Sequence, residues 1–248
     1  MQVEDHGSLS PELGLRLEVE ALRHLERAPV HPTDSRGNER RRVRHASRPE
    51  NPAASAGERF LLWESTRPAV ILPRHARPEE WVRVPACASR RVPLLHRESG
   101  GGAVVVGPGC LNIALVLTLS GRSRLAHVER SYEWLLGKLV GVLGMGGITV
   151  RSTDLAIHDR KFAGHAQRRR RGVLLHHGVL LYDSDDFDLD LLDALLREPS
   201  RRPAWRGNRT HREFLTNAPL ARAEIVRRLG RLPAALEPPG GESRHRPT

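Results

Sequence analysis

Two clusters in this sequence combine residue types and spacings that could do chemistry. The first is His96-Arg97-Glu98-Ser99-Gly100-Gly101-Gly102, set between apolar segments and followed by Gly107-Pro108-Gly109. Consecutive glycines let a backbone come close enough for its N–H groups to meet phosphate or carboxylate oxygens, and Arg97 could fork onto the same anion. The string equally suits a hairpin turn that binds nothing. It is not a Walker A loop, and it does not open a helix as a dinucleotide fingerprint would.

The second cluster is Thr153-Asp154-Leu155, then Asp159-Arg160-Lys161-Phe162-Ala163-Gly164-His165-Ala166-Gln167-Arg168, then His176-His177-Gly178. If Leu155–Ile157 and Val173–Leu181 are adjacent strands, a carboxylate, a lysine, an arginine and a histidine pair converge at one sheet end. Taken singly, the pieces have ordinary readings. Asp154 would cap a turn, Arg168 to Arg171 would be a solvated face, and His176-His177 would be one exposed and one core histidine. Zinc is disfavoured, because adjacent histidines point to opposite faces of a strand and no second Cys/His pair has ligand spacing.

Lys161 stands out against its background. Of the 40 basic residues only Lys138 and Lys161 are lysine. A compact ammonium is needed where one point charge must sit between two developing anions, and a planar guanidinium does not fit there. Genome base composition could produce the same bias.

The elements that would position these groups follow from periodicity. Pro11–Ala28 spaces Leu13, Leu17, Ala21 and Leu25 as one helical face, and His127–Met145 reads as a second helix. Short apolar runs mark strands at Arg59–Trp63, Pro68–Leu72, Ala103–Val106, Leu111–Leu117, Ile148–Val150, Leu155–Ile157 and Gly172–Leu181, with Arg160–Arg171 connecting the last two. Further helices are expected over Asp186–Leu196 and Leu220–Leu232. Pro29–Gly57 reads as a flexible insertion and Pro233–Thr248 as a loose tail. The order of elements predicts an α/β (α+β) fold, with mixed sheets flanked by helices, in one domain over residues 11–232.

Composition excludes several classes of function. No run approaches the apolar length of a membrane span, and Met1–Ser10 lacks the pattern of an export signal. Cys87 and Cys110 cannot form a disulfide framework, and a cytoplasmic location is expected. The net charge of +11 invites nucleic acid, but the aromatic residues are not interleaved with the basic runs as stacking would require.

In these motifs the sequence resembles the lipoate-protein ligases, which share the biotin/lipoate-ligase catalytic domain. RESGGGAVVVGPG is similar to their arginine and triple-glycine motif, and DLAIHDRKFAGHAQRR with LLHHGVLL resembles their lysine motif and following strand. LRLEVEAL, RFLLWESTRPAVIL and RTHREFLTNAP resemble their first helix, first hairpin and a later T-N segment. The resemblance implies ATP-dependent activation of lipoate or octanoate to an acyl-adenylate. The acyl group would then pass to a lysine of a lipoyl-domain or glycine-cleavage H-type carrier protein. It implies a catalytic Lys161 contacting the carboxylate and the α-phosphate, with Arg97, Ser99 and Gly100 to Gly102 lining the acyl and phosphate site. Asp154 would hold magnesium or the adenylate. Gly164, Ala166, Arg168, His177 and Gly178 would shape the pocket, and apolar strand residues would supply a slot for an eight-carbon chain.

Cys110, Leu111, Ala163 and His165 depart from the family pattern. The chain also ends soon after these motifs, so a separate accessory subunit is expected, or a transferase role without ATP. The rival activity is an octanoyltransferase working through a cysteine thioester, for which Cys110 is the one candidate nucleophile. A biotin-ligase-like specificity and a non-catalytic lipoyl-protein-binding module stay open beside it.

Overall fold

The computed structural model describes residues 1–28, 57–120, 122–182, 187–199 and 202–237. Strand β1 (Gln2–Leu9) leads into helix α1 (Pro11–Arg27), β2 (Arg59–Ser65) and β3 (Ala69–Leu72). Two short helices, α2 (Pro78–Trp81) and α3 (Val84–Ser89), precede β4 (Leu94–His96), β5 (Val104–Val106) and β6 (Cys110–Thr118). Then come α4 (Ser123–Ala126), α5 (Val128–Leu143), β7 (Ile148–Arg151), β8 (Asp154–Ile157), β9 (Arg160–Arg170) and β10 (Val173–Leu181). Helices α6 (Leu189–Leu195), α7 (His211–Phe214), α8 (Arg222–Leu229) and α9 (Leu232–Leu236) complete the described chain.

Seven strands form a sheet in the order β1-β2-β6-β10-β9-β8-β7, and β4-β3-β5 form a second. In the large sheet β1 runs parallel to β2, and every other neighbouring pair is antiparallel. Alternation along the strands gives the sheet two buried faces. Leu61, Ala114, Val116 and Leu175 meet α1. Phe60, Leu62, Ile113, Leu115 and Leu174 meet α5, α8 and α9. The fold is therefore the expected mixed α/β arrangement.

Three local expectations are corrected. The buried stripe of α1 is Gly14, Glu18, Ala21, Leu22 and Leu25, and Leu13 is exposed. The helix is rotated because Gly14 lies against the Trp63 ring, where a Cβ would come within 2.3 Å of a ring carbon. Arg160–Arg170 is a strand rather than a connection, so β8 and β10 are not neighbours. Its lysine, glycine and four arginines gave no apolar signal. Two two-residue turns define it, with positive φ at His158 and Asp159 before it and at Arg171 and Gly172 after it, as tight hairpins require. The last expected helix, Leu220–Leu232, is the shorter α8, and the start of the expected loose tail is helical as α9; the two stay separate because the Pro233 ring would clash with the turn before it in one continuous helix.

Upstream of the expected domain start, β1 joins the sheet as an edge strand. Polar pairs tie it down, Glu4 accepting from Arg59 Nε at 2.7 Å and Asp5 from Arg222 Nη2 at 2.7 Å. The expected insertion lies outside the described residues except Gly57, as does the tail beyond Glu237. No helix among the described residues is long and apolar enough to cross a membrane.

Candidate active site

Strand β9 carries the lysine into the middle of the fold. Its backbone is held on the far side by Thr216, whose N–H donates to the Lys161 carbonyl at 2.9 Å. A bulge between β8 and β9 at Leu155/Ala156 sets the register that brings Asp154 opposite Gly164. The Lys161 side chain folds back over that glycine, and its Nζ lies 2.7 Å from Asp154 Oδ1. A Cβ on Gly164 would fall 2.6 Å from Nζ, so only a glycine leaves the ammonium this position.

The glycine loop between β4 and β5 covers the same region. Gly101 has φ +92, and a Cβ there would be 3.0 Å from Arg97 Nη2 and 3.8 Å from Ala166 Cβ, so the loop rests on β9. Arg97 does not offer a fork to an anion, contrary to expectation. It is buried, and its N–H groups point at Ile71 O (3.2 Å), Gly100 O (2.5 Å), Gly102 O (2.7 Å) and Ser99 Oγ (2.9 Å). Burial pulls its pKa down to about 10. Arg97 shapes the loop from behind.

Two cavities meet at this point, and Lys161, Asp154, Gly101, Gly102 and Gly164 border both. The smaller, about 180 Å³, runs under α1 between Leu15, Trp63, Ile71 and Val106. The larger, about 600 Å³, opens between Phe187, Leu192 and Phe214, with Arg151 and Arg197 on its wall. Polar groups of the small cavity are turned on one another. Trp63 Nε1 donates to Glu18 Oε1 at 3.0 Å, His177 Nδ1 lies 2.5 Å from Glu18 Oε2, and His177 Nε2 lies 2.6 Å from Ser99 Oγ. Asn112 Nδ2 is directed to the carbonyls of Trp63 and Cys110. What the slot presents is therefore largely carbon.

Of the residues singled out from sequence, Lys161, Asp154, Arg97, Gly101, Gly102, Gly164, Ala166, His177 and Gly178 border the cavities. Ser99, buried behind the loop, Gly100, on the exposed side of the loop, and Arg168 border neither cavity. The run from Arg168 to Arg171 is not a uniform solvated face, because Arg169 donates to Leu125 O and Ser131 Oγ, at 2.6 Å each. Sequence reasoning missed Glu18, Trp63, Leu15 and Asn112, together with Arg151 and Arg197. The one available signal was a carboxylate, Glu18, at an otherwise core-facing spacing of α1.

His176 and His177 do point to opposite faces, but both are buried. On the α5 face His176 stacks on His165, with centroids 5.2 Å apart. Burial drives the His165 pKa down to about 3 and that of His176 well below its usual value. Both rings stay neutral in the fold and take up protons on unfolding, so they cost stability as pH falls from about 6.5 toward 3. We expect His165 to remove about 2 kcal/mol by about pH 5, with His176 acting in the same direction, read as a drop in denaturation midpoint relative to pH 7. A midpoint unchanged over that interval would contradict the neutral pair.

Cys110 borders neither cavity. It packs among Val70, Val105 and Leu181, and burial pushes its thiol up to about 12. It is not placed or ionised as a nucleophile must be.

The profile of the lipoyl protein ligase A/B catalytic domain matches residues 40–217. This chain belongs to that family. A Schizosaccharomyces pombe protein provisionally named lipoate-protein ligase A is 28% identical over 177 residues, covering 71% of this chain and 47% of that one. The chain thus spans about half the length of that relative. An octanoyltransferase LipM of Brevibacillus brevis is 47% identical over 53 residues, 21% of this chain and 18% of that one. Among solved structures, a bipartite lipoate protein ligase of Thermoplasma acidophilum, studied with its E2 lipoyl domain, superposes with a TM-score of 0.65 at 20% identity. It covers 93% of this chain and 81% of that chain.

Proposed function

We propose that this member of the lipoate ligase family joins lipoate or octanoate to ATP as an acyl-adenylate and then hands the acyl group to a carrier-protein lysine. One observation carries the reading: the Lys161 ammonium, fixed by Asp154, sits where a carbon-lined slot meets a larger cavity with arginines on its wall. In such a site the acid's tail enters the slot and its carboxylate reaches Lys161. The triphosphate lies on the glycine-loop and Arg151 side. A carboxylate oxygen attacks the α-phosphorus and pyrophosphate leaves; the acceptor amine then attacks the acyl carbon and AMP leaves. Lys161 screens the two anions as they approach and holds the charge that builds at phosphorus.

Each methylene of the acyl chain buried in the slot is worth up to about 0.8 kcal/mol. Magnesium fits Asp154, a carboxylate shared by the two cavities with one oxygen on Lys161, and a hard cation there would supply neutralisation of phosphate charge. The acceptor is a lipoyl-domain or H-type protein, and the setting is cytoplasmic.

The competing reading is octanoyl transfer from acyl carrier protein, favoured by the short stretch of high identity to LipM. The burial of Cys110 argues against it. Cys110→Ala should keep acyl transfer within about twofold, as a buried packing residue would. Loss of transfer, with an octanoyl adduct at Cys110 by mass spectrometry in the wild type, would favour the thioester route. The proposal itself is tested by pyrophosphate release from ATP with and without lipoate or octanoate.

A further inference from the structure

The hydrogen bonds from Trp63 to Arg97 can be given directions donor by donor. Trp63 Nε1 and Arg97 Nε can only donate, the first to Glu18 Oε1 (3.0 Å) and the second to Ser99 Oγ (2.9 Å). His177 Nδ1 lies 2.5 Å from Glu18 Oε2. A carboxylate only accepts, so Nδ1 carries the hydrogen, and in the neutral imidazole Nε2 holds the lone pair. The Ser99 hydroxyl is left with two acceptors, His177 Nε2 at 2.6 Å and Gly100 O at 3.4 Å. It donates to the histidine. All four polar side chains are buried, Glu18 at 4%, Ser99 at 1%, His177 at 6% and Arg97 at 8% exposure, so a lost partner is costly.

The direction matters for the glycine loop. Gly100 O already accepts from Arg97 Nη2 at 2.5 Å, and Gly102 O accepts from the same nitrogen at 2.7 Å. Were His177 to carry its hydrogen on Nε2 instead, Ser99 would receive two donors and its own hydrogen would turn to Gly100 O, competing with Arg97 for the carbonyl that shapes the loop. The tautomer of one imidazole therefore decides how the cradle beside Lys161 is held.

We infer that Glu18, on α1, is a positioning residue for the glycine loop: by holding His177 in the Nδ1–H form it gives Ser99 its acceptor and leaves the loop carbonyls to Arg97. The bearing on turnover rests on the adenylating reading above; the order of hydrogen bonds does not.

Glu18→Gln tests this with little change of shape. One oxygen cannot serve both donors, so the amide nitrogen must face either Trp63 Nε1–H or His177 Nδ1–H, unless the imidazole moves its hydrogen to Nε2. Nitrogen-15 NMR of the full chain should show His177 protonated at Nδ1 in the wild type and at Nε2 in the Gln variant. The carbonyl carbon-13 shifts of Gly100 and Gly102, whose oxygens accept from Arg97, should move in the variant. Adding Trp63→Phe removes the competing donor, and the Gln oxygen can then return to His177. The double variant should recover the Nδ1–H signal and the wild-type carbonyl shifts, a rescue that simple damage to the α1 packing would not give. An unchanged tautomer in Glu18→Gln, or a double variant without recovery, would overturn the inference. Both readouts need no substrate, so a protein that shows them yet releases no pyrophosphate refutes the adenylating reading alone.

Discussion

Lys161→Ala should lose acid-dependent pyrophosphate release by on the order of 10³-fold while unfolding at nearly the same temperature as the wild type. Removing a single neutral donor from a preorganised anion site typically costs about 10² to 10³ in rate, and here a full charge is removed from a water-poor junction. The side chain is partly exposed and pairs only with Asp154 among the described residues. Its loss therefore leaves one carboxylate unpaired but opens no gap in the core. Lys161→Arg should not restore activity, because a planar fork cannot take the place of a point charge lying over Gly164. Steady-state rates with matched melting curves decide both. A folded alanine variant with wild-type turnover would remove Lys161 from the chemistry.

The second large effect is expected at Gly164, where the added atom strikes the reactive group rather than the scaffold. In Gly164→Ala the new Cβ would lie 2.6 Å from Lys161 Nζ and 2.7 Å from its Cε, and 3.4 Å from Asp154 Oδ1. The lysine tip is flexible and moves away, so the fold survives and the ammonium is displaced from its pairing. A shift of about 1 Å in a catalytic group costs on the order of 10²-fold, and the loss should fall on kcat more than on KM. Gly178→Ala is the contrasting case. Its Cβ would meet the Gly164 carbonyl at 2.6 Å and the His165 ring at 2.3 Å, neither of which can swing aside. That variant should lose stability first, seen as a lowered denaturation midpoint. The account is wrong about Gly164 if its alanine variant is fully active, or if it unfolds as readily as the Gly178 variant.

Much of the site was legible because its chemistry is local in sequence. An isolated lysine in an arginine background, and three glycines just ahead of a run of valines, are visible without knowing the fold. Their partners were not, for a physical reason. Glu18 is a carboxylate at a core-facing position of α1, and it is buried there because Trp63 and His177, from other strands, satisfy its two oxygens. Trp63 looked like any core aromatic. Strand β9 was hidden because small and charged residues carry no strand propensity, and its extension is set by two tight turns and by pairing with β8 and β10. Arg97 was assigned the wrong partner: a guanidinium beside glycines can serve a ligand or their own carbonyls, and only distances distinguish the two. The family, by contrast, was accessible from the order of the motifs, and the profile match bears that out.

Most direct for the central claim is a single assay that supplies purified protein with ATP, octanoate or lipoate and a lipoyl-domain acceptor, and follows pyrophosphate and acylated acceptor together. The account predicts pyrophosphate release that requires the acid, acceptor acylation that requires ATP, and the loss of both in Lys161→Ala. Acylation that proceeds from octanoyl carrier protein without ATP, or that survives in the alanine variant, would contradict it.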